Sequence, residues 1–288
     1  MAVQTVQVET RTVGRHWTWQ RFLAWFVLSA TTVIALFPMY WLFISALTPT
    51  KYTINTTPTL FPLNPGFDNF SRLFALANNY WRWMVNSLFV ALAVTLFHMI
   101  FDTLSGYAFA KRRFPGRNLF FWLILSTLMI PDHVTLVPRY IVARELGLLN
   151  SLWAVILPGT ANVFGIFLMR QYIQTLPSEL IDAGRIDGCT EFGLFWRIIL
   201  PLCKPALAAL AIFTFVRYWN DFLWPLIVLT SDSTFTLPVG VASLQGEFGT
   251  DYGVIFAGAA LAALPMIVFF LVFQRYFLEG VRMGAVKG

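Results

Sequence analysis

An all-α membrane protein with six transmembrane helices is the fold class this sequence predicts. Three observations point to it. Of the 288 residues, 58% are hydrophobic and only 12% charged, and the mean hydropathy is +0.67. A soluble domain carries about 25% charged residues and has no core large enough to hide so much apolar surface, so lipid is the simplest solvent for it. Apolar runs recur six times, each near the ~20 residues that a bilayer requires. The basic residues sort to alternate sides of these runs.

Taken in order, the runs place spans at about 22–47, 84–110, 119–136, 152–168, 205–229 and 254–273. The first starts late, is too long for a secretory signal and has no small-residue cleavage site after it, so it stays as an anchor. The second contains His98 and Asp102, which turns that part of it toward protein rather than lipid. Between the first two spans, prolines in PTLFPLNPG call for an extended piece. Phe67, Phe70, Leu73 and Phe74 then have the spacing of a short interfacial helix. Another short helix is expected within Pro138–Asn150. Ser231–Gly253 reads as a polar, glycine-containing loop without a continuous apolar run. No internal repeat is visible, which speaks against a secondary transporter.

With the N-terminus in the cytoplasm, fourteen of the twenty Lys and Arg residues lie inside, five lie outside, and Arg217 falls within a span. The sequence pI of about 9.5 is therefore mostly topology, and no nucleic-acid partner is expected. Both termini are then cytoplasmic: a tail over 1–21, a membrane domain over 22–278 and a second tail over 279–288. Cys189 and Cys203 have no zinc spacing and predict neither a metal site nor a disulfide.

The most polar piece of the second half is ELIDAGRIDGCTEFGLFWRIILP, Glu179–Pro201, within a cytoplasmic segment over about 171–204. Ser178 is placed to cap a helix and Glu179 to complement its dipole. Leu180, Ala183, Gly184 and Asp187 then share one face, two of them small enough for a partner backbone to approach. Gly188 suits a stop with positive φ. Thr190 can cap a second helix, in which Phe192, Phe195, Trp196 and Ile199 form an apolar stripe at the membrane interface. Pro201 marks the turn into the fifth span. This arrangement reads as a lever moved by a cytoplasmic partner.

DAGRIDG, Asp182–Gly188, followed by ILPL, Ile199–Leu202, resembles the EAA motif of binding-protein-dependent ABC transporter permeases. The usual form is E-A-A-x-x-x-G with a later I-x-L-P. Asp182 stands here for the glutamate and Gly184 for the second alanine. VRYWNDFLWPLIVL, Val216–Leu229, and the ending GAVKG, Gly284–Gly288, resemble the six-span subunit of the maltose-type carbohydrate branch. The resemblance covers nearly the whole chain. It implies a type I ABC importer fold in the bacterial inner membrane, a second permease subunit, two ATPase subunits that bind the ATP and Mg, and an extracytoplasmic sugar-binding protein. It implies that Glu179, Asp182, Ala183, Gly184, Asp187 and Gly188 dock into the ATPase. It further implies that Gly284–Gly288 reaches the ATPase dimer, and that roughly Thr236–Gly253 probes the binding protein.

The chain has no G-x-x-x-x-G-K-[ST] phosphate loop, so it is not itself an ATPase and no cofactor is expected in it. It has no G-x-S-x-G elbow. His16, His98 and His133 are scattered, and no acid or thiol stands at ligand spacing from any of them. These absences speak against a membrane-embedded enzyme, and the lack of acid relays speaks against a proton-coupled transporter. Arg217 and Asp221, four apart, are expected to neutralise each other on one helix. Trp219, Asn220, Asp221 and Trp224 are candidates to line the pathway, because aromatic faces with amide and carboxylate groups suit sugars.

Overall fold

A computed structural model describes residues 19–50, 60–61, 64–245 and 251–285. Residues 1–18 of the expected N-terminal tail and the last three residues of the expected C-terminal tail lie outside this range. Helices α1 (Trp19–Leu47), α2 (Asp68–Leu76), α3 (Tyr80–Lys111), α4 (Arg117–Ser126) and α5 (Leu136–Glu145) form the first half. They are followed by α6 (Trp153–Ile156), α7 (Val163–Gln174), α8 (Glu179–Ile186), α9 (Glu191–Leu194), α10 (Lys204–Trp219), α11 (Leu223–Val228), α12 (Leu237–Ser243) and α13 (Tyr252–Ala285). Among the described residues four helical stretches are long and apolar enough to cross a membrane. Counting each of two bent pairs as one span brings the number to at most six: Arg117–Met129 with Asp132–Glu145, at 95°, and Glu191–Leu202 with Lys204–Trp219, at 79°.

Two of the expected spans are also interrupted. The run read as 119–136 stops at Met129, because Pro131 has no N–H to donate and drives Ile130 into extended backbone (φ −85°, ψ 116°). The run read as 205–229 ends its main helix at Trp219. It resumes at Leu223, where Pro225 stands in the first turn and its missing N–H costs nothing. The span starting near Leu152 is also irregular, passing through a 3₁₀ turn at Leu157–Gly159 before α7.

Helix α3 is the central post. It packs against α7 and α10, while α13 packs against α1, α2 and α10. Gly106 permits the close α3–α7 crossing, since a β-carbon there would lie 2.7 Å from Met169 Cβ. His98 and Asp102 on α3 are buried, as expected, and they close on each other. His98 Nδ1 lies 2.9 Å from Asp102 Oδ2, while His98 Nε2 donates to the Gly159 carbonyl at 2.7 Å. Asp102 Oδ1 accepts the Asn162 N–H at 3.1 Å. The His98–Asp102 pair, not recognised from its four-residue spacing, thus clasps both ends of the break before α7.

The segment after Ser231 is more than a polar loop. Ser87 Oγ on α3 accepts the Leu237 N–H at 2.7 Å, and Asn86 donates to the carbonyls of Ser233 and Phe235. Trp83 Nε1 donates to the Asp232 carbonyl at 2.8 Å. Helix α12 buries Leu237 and Val239, and Leu237 joins a core that includes Leu73, Tyr80, Trp83 and Trp219. Its pattern was masked by shortness: α12 has seven residues, too few for helical periodicity to stand out. The expected interfacial helix is present as α2, with Leu73 buried and Phe67 exposed. Residues 246–250 of the expected binding-protein probe lie outside the described range.

Candidate functional site

At the end of the molecule where α3 finishes, α8 and α9 form a compact elbow. Ile181 and Gly184 are the buried positions of α8. They rest on Leu194, Phe195 and Ile199, which continue into a core with Met169, Ile173, Cys203 and Leu210. Gly188 closes α8 with φ +80°, a conformation that side-chain-bearing residues enter only at a cost. Thr190 then caps α9, its Oγ1 accepting the Gly193 N–H at 3.1 Å. Both were expected.

Three other expectations are corrected. Ser178 has helical backbone and makes no side-chain cap; its Oγ lies 3.3 Å from Lys111 Nζ. The stripe Phe192, Phe195, Trp196 and Ile199 is split between two faces, because Phe195–Ile199 is π-helical and its wider turn rotates the register. Phe195 and Ile199 are buried, whereas Phe192 is 67% exposed. Gly184 does not share an open face with Ala183. It points inward, where a β-carbon would meet Leu194 and Ile198.

The elbow is fastened to α3 by a charge network that sequence reading missed. Glu191 pairs with Arg112 and accepts from Arg185 Nε at 3.2 Å, and Tyr107 Oη donates to it at 3.2 Å. Arg185 also holds Asp182 at 3.0 Å. Lys111 Nζ donates to the Leu176 carbonyl at 2.6 Å. Burial would raise the Glu191 carboxyl, but the hydrogen bonds from Arg112 and Arg185 outweigh it and hold it below the usual range. The Arg185 guanidinium is pushed up, chiefly by its hydrogen bond to Glu191. What remains outward is Glu179, Leu180, Asp182, Ala183, Ile186 and Asp187. Ile186 is 86% exposed, the clearest apolar knob on this surface. The spacing argument did not select it, since it lies off the face that was counted.

The four pathway candidates do not form one site. Trp219 and Asn220 line a groove of about 1030 Å³ between α1, α10, α12 and α13, walled by Tyr40, Leu237 and Met266 among others. Trp224 lies elsewhere. It is buried among α5, α6 and α11, its Nε1 donating to the Ala154 carbonyl at 3.0 Å and Arg139 lying over its ring. The expected Arg217–Asp221 interaction holds in charge but not on one helix: α10 ends before Asp221, whose carboxylate accepts the N–H groups of Trp224 and Phe222 while Arg217 still acts on it electrostatically. Arg217 turns to Asp132, at 3.1 Å.

Comparison with known proteins agrees with this architecture. The chain is 42% identical over 257 residues to an arabinooligosaccharides transport system permease protein of Halalkalibacterium halodurans, covering 88% of this chain and 92% of that one. The Bacillus subtilis protein of the same description is 40% identical, covering 89% and 92%. An sn-glycerol-3-phosphate transport system permease protein of Yersinia pestis is 37% identical, covering 86% and 91%. Among solved structures, a chain of a bacterial ABC transporter involved in alginate import superposes with a TM-score of 0.81 at 24% identity, covering 90% of this chain and 96% of that one. That likeness shows the shared fold. Residues 102–283, from the clasp on α3 to the last helix, match the model of the binding-protein-dependent transport system inner membrane component, and the chain belongs to that family.

Proposed function

We propose that this chain is one permease subunit of an ATP-driven sugar importer, and that α8 couples it to an ATPase. The supporting observation is the elbow. A short helix is pinned on its inner side by Ile181, Gly184 and the Glu191 network, and presents Leu180, Ala183 and Ile186 outward beside Glu179, Asp182 and Asp187. A helix locked to two spans moves with them, so force applied at α8 reaches α3 and α10 without being lost in a flexible loop. The outward face is apolar at its centre and acidic at its rim, which suits a cleft with apolar walls and basic edges. Glu179, Asp182, Ala183, Asp187 and Gly188 keep the coupling role that the sequence motif implies, and Ile186 joins them. Gly184 supports the helix from beneath.

The sugar reading rests on relatives described as transporting arabinooligosaccharides and on a fold neighbour solved with an alginate pentasaccharide-bound periplasmic protein. In this reading a second permease subunit completes the pathway, two ATPase subunits bind the ATP and Mg, and an extracytoplasmic binding protein delivers the sugar. Both termini, α8 and the 171–204 segment are cytoplasmic. The test is expression of the tagged permease with its partners in the natural host. An ATPase should copurify in mild detergent, and uptake of an arabinooligosaccharide should require ATP. A permease that purifies without an ATPase and supports no such uptake overturns the reading.

A further inference from the structure

We propose that the Arg217–Asp132 ion pair faces the water-filled pathway and is a contact site for a neutral, hydroxyl-rich solute. The first ground is depth. Arg217 stands thirteen residues beyond Lys204, about 20 Å along α10. Asp132 follows the twelve-residue rise from Arg117 to Met129, about 18 Å. Two separate spans thus carry opposite charges to the same level, inside a hydrocarbon layer of about 30 Å. The second ground is exposure: the Arg217 side chain is 56% exposed and that of Asp132 is 67% exposed. A charge turned to lipid at this depth is costly, so such a face lines water or is covered by protein.

The third ground is the surroundings. Arg217 borders a small cavity of about 50 Å³ whose lining mixes the polar groups of His98, Asn162, Thr214 and Tyr218 with Phe164, Leu210 and Phe213. The break at Pro131 is what brings Asp132 off its helix and over α10. The pair is neutral as a unit. A guanidinium and a carboxylate together donate to and accept from adjacent sugar hydroxyls, whereas an anionic solute would gain from Arg217 and lose to Asp132. The site therefore favours uncharged sugars over phosphorylated ones.

This inference rests on the importer reading above. Its test uses the whole transporter in its natural host and labelled arabinotriose as the probe. Asp132→Asn and Arg217→Gln are each expected to lower the maximal uptake rate at least tenfold, with unchanged copurification of the partner subunits. In Asp132→Cys, a membrane-impermeant methanethiosulfonate should react from outside, and arabinotriose should slow the reaction. The charge-swapped double variant, Asp132→Arg with Arg217→Asp, should stay impaired, because hydroxyls meet inverted partners. Full recovery in the swap shows a strut between helices and overturns the proposal. So does an unreactive thiol, or loss of the partner permease on neutralisation, which marks a subunit interface. Wild-type cells that take up no arabinotriose overturn the importer reading itself; unimpaired uptake in both single variants overturns this proposal alone.

Discussion

Ile198 Cδ1 lies 2.6 Å from where a β-carbon on Gly184 would stand, and Leu194 Cδ2 is equally close. Gly184 is therefore a seat for α8 on the chain's own next helix. The two methyl groups are the ends of flexible side chains and can rotate away, so Gly184→Ala should cost about 1 kcal/mol or less. Gly184→Trp has no such escape and should cost about 1–3 kcal/mol or more. Thermal unfolding of the purified permease without its ATPase reads this directly. An unchanged melting temperature in Gly184→Trp, together with lost ATPase copurification, would place the glycine at the partner interface after all.

Ile186 gives the converse experiment. It is 86% exposed and packs on nothing that holds the fold. Ile186→Asp should change the stability of the isolated permease by no more than about 0.5 kcal/mol. ATPase copurification should fall severalfold, since a carboxylate would replace the apolar centre of the docking face. Equal copurification of the variant and the wild type would remove Ile186 from that face.

Much of this elbow was legible in the sequence. Gly188 and Thr190 act locally, through a backbone angle and a three-residue hydrogen bond, and such signals need no tertiary information. Which face of α8 turns inward was not legible. That choice is made by Leu194 and Ile198 beyond the turn, and by Arg112 some eighty residues earlier. The π-helical turn likewise rotated an apolar stripe that ordinary periodicity would keep on one face. In the membrane core, the spans were found from length and hydropathy. Their breaks were written in Pro131 and the Asn220–Asp221 pair, but continuous hydropathy hid them. The burial of His98 and Asp102 was read, but their pairing, four residues apart on one helix, was passed over.

Trp224 and Asn220 should separate in the same way. Trp224 is 5% exposed and hydrogen-bonded, so Trp224→Ala should cost about 3–5 kcal/mol and lower the yield of folded permease. Asn220 is exposed at the end of α10 and lines the large groove with Trp219. Asn220→Ala should leave the melting temperature nearly unchanged and show its effect, if it touches solute, in uptake alone. A stable Trp224→Ala variant with lost uptake would return Trp224 to the pathway.

Orientation can be checked with two exposed positions. Glu145 ends α5 and Glu179 starts α8, at opposite ends of the molecule in the six-span reading. Glu145→Cys should react with an impermeant thiol reagent applied outside, and Glu179→Cys should react only after the cells are opened. The reverse order would invert the topology.

The Glu191 clamp makes a pH-dependent prediction. Glu191 is about half exposed, with Arg112 and Arg185 hydrogen-bonded to it, so its contribution is that of a partly screened surface network, about 0.5–1 kcal/mol. Its carboxyl is held below the ordinary range in the folded state. A depressed acid stabilises above its unfolded value, and that stabilisation is lost as the pH falls through the folded one. At neutral pH the clamp is thus fully formed, and it loosens only below the ordinary carboxylate range. Glu191→Gln removes the charge at every pH and leaves Arg185 with Asp182 alone. Hydrogen exchange of the amides in 179–190 should therefore run about two- to fivefold faster in Glu191→Gln than in the wild type at pH 7. Only as the pH falls below the ordinary glutamate value, about 4, should the wild type approach the variant once intrinsic exchange rates are divided out. Identical protection at pH 7 would show that the elbow is held by Ile181, Leu194 and Ile199 alone, and that the charges on α3 do not transmit force to α8.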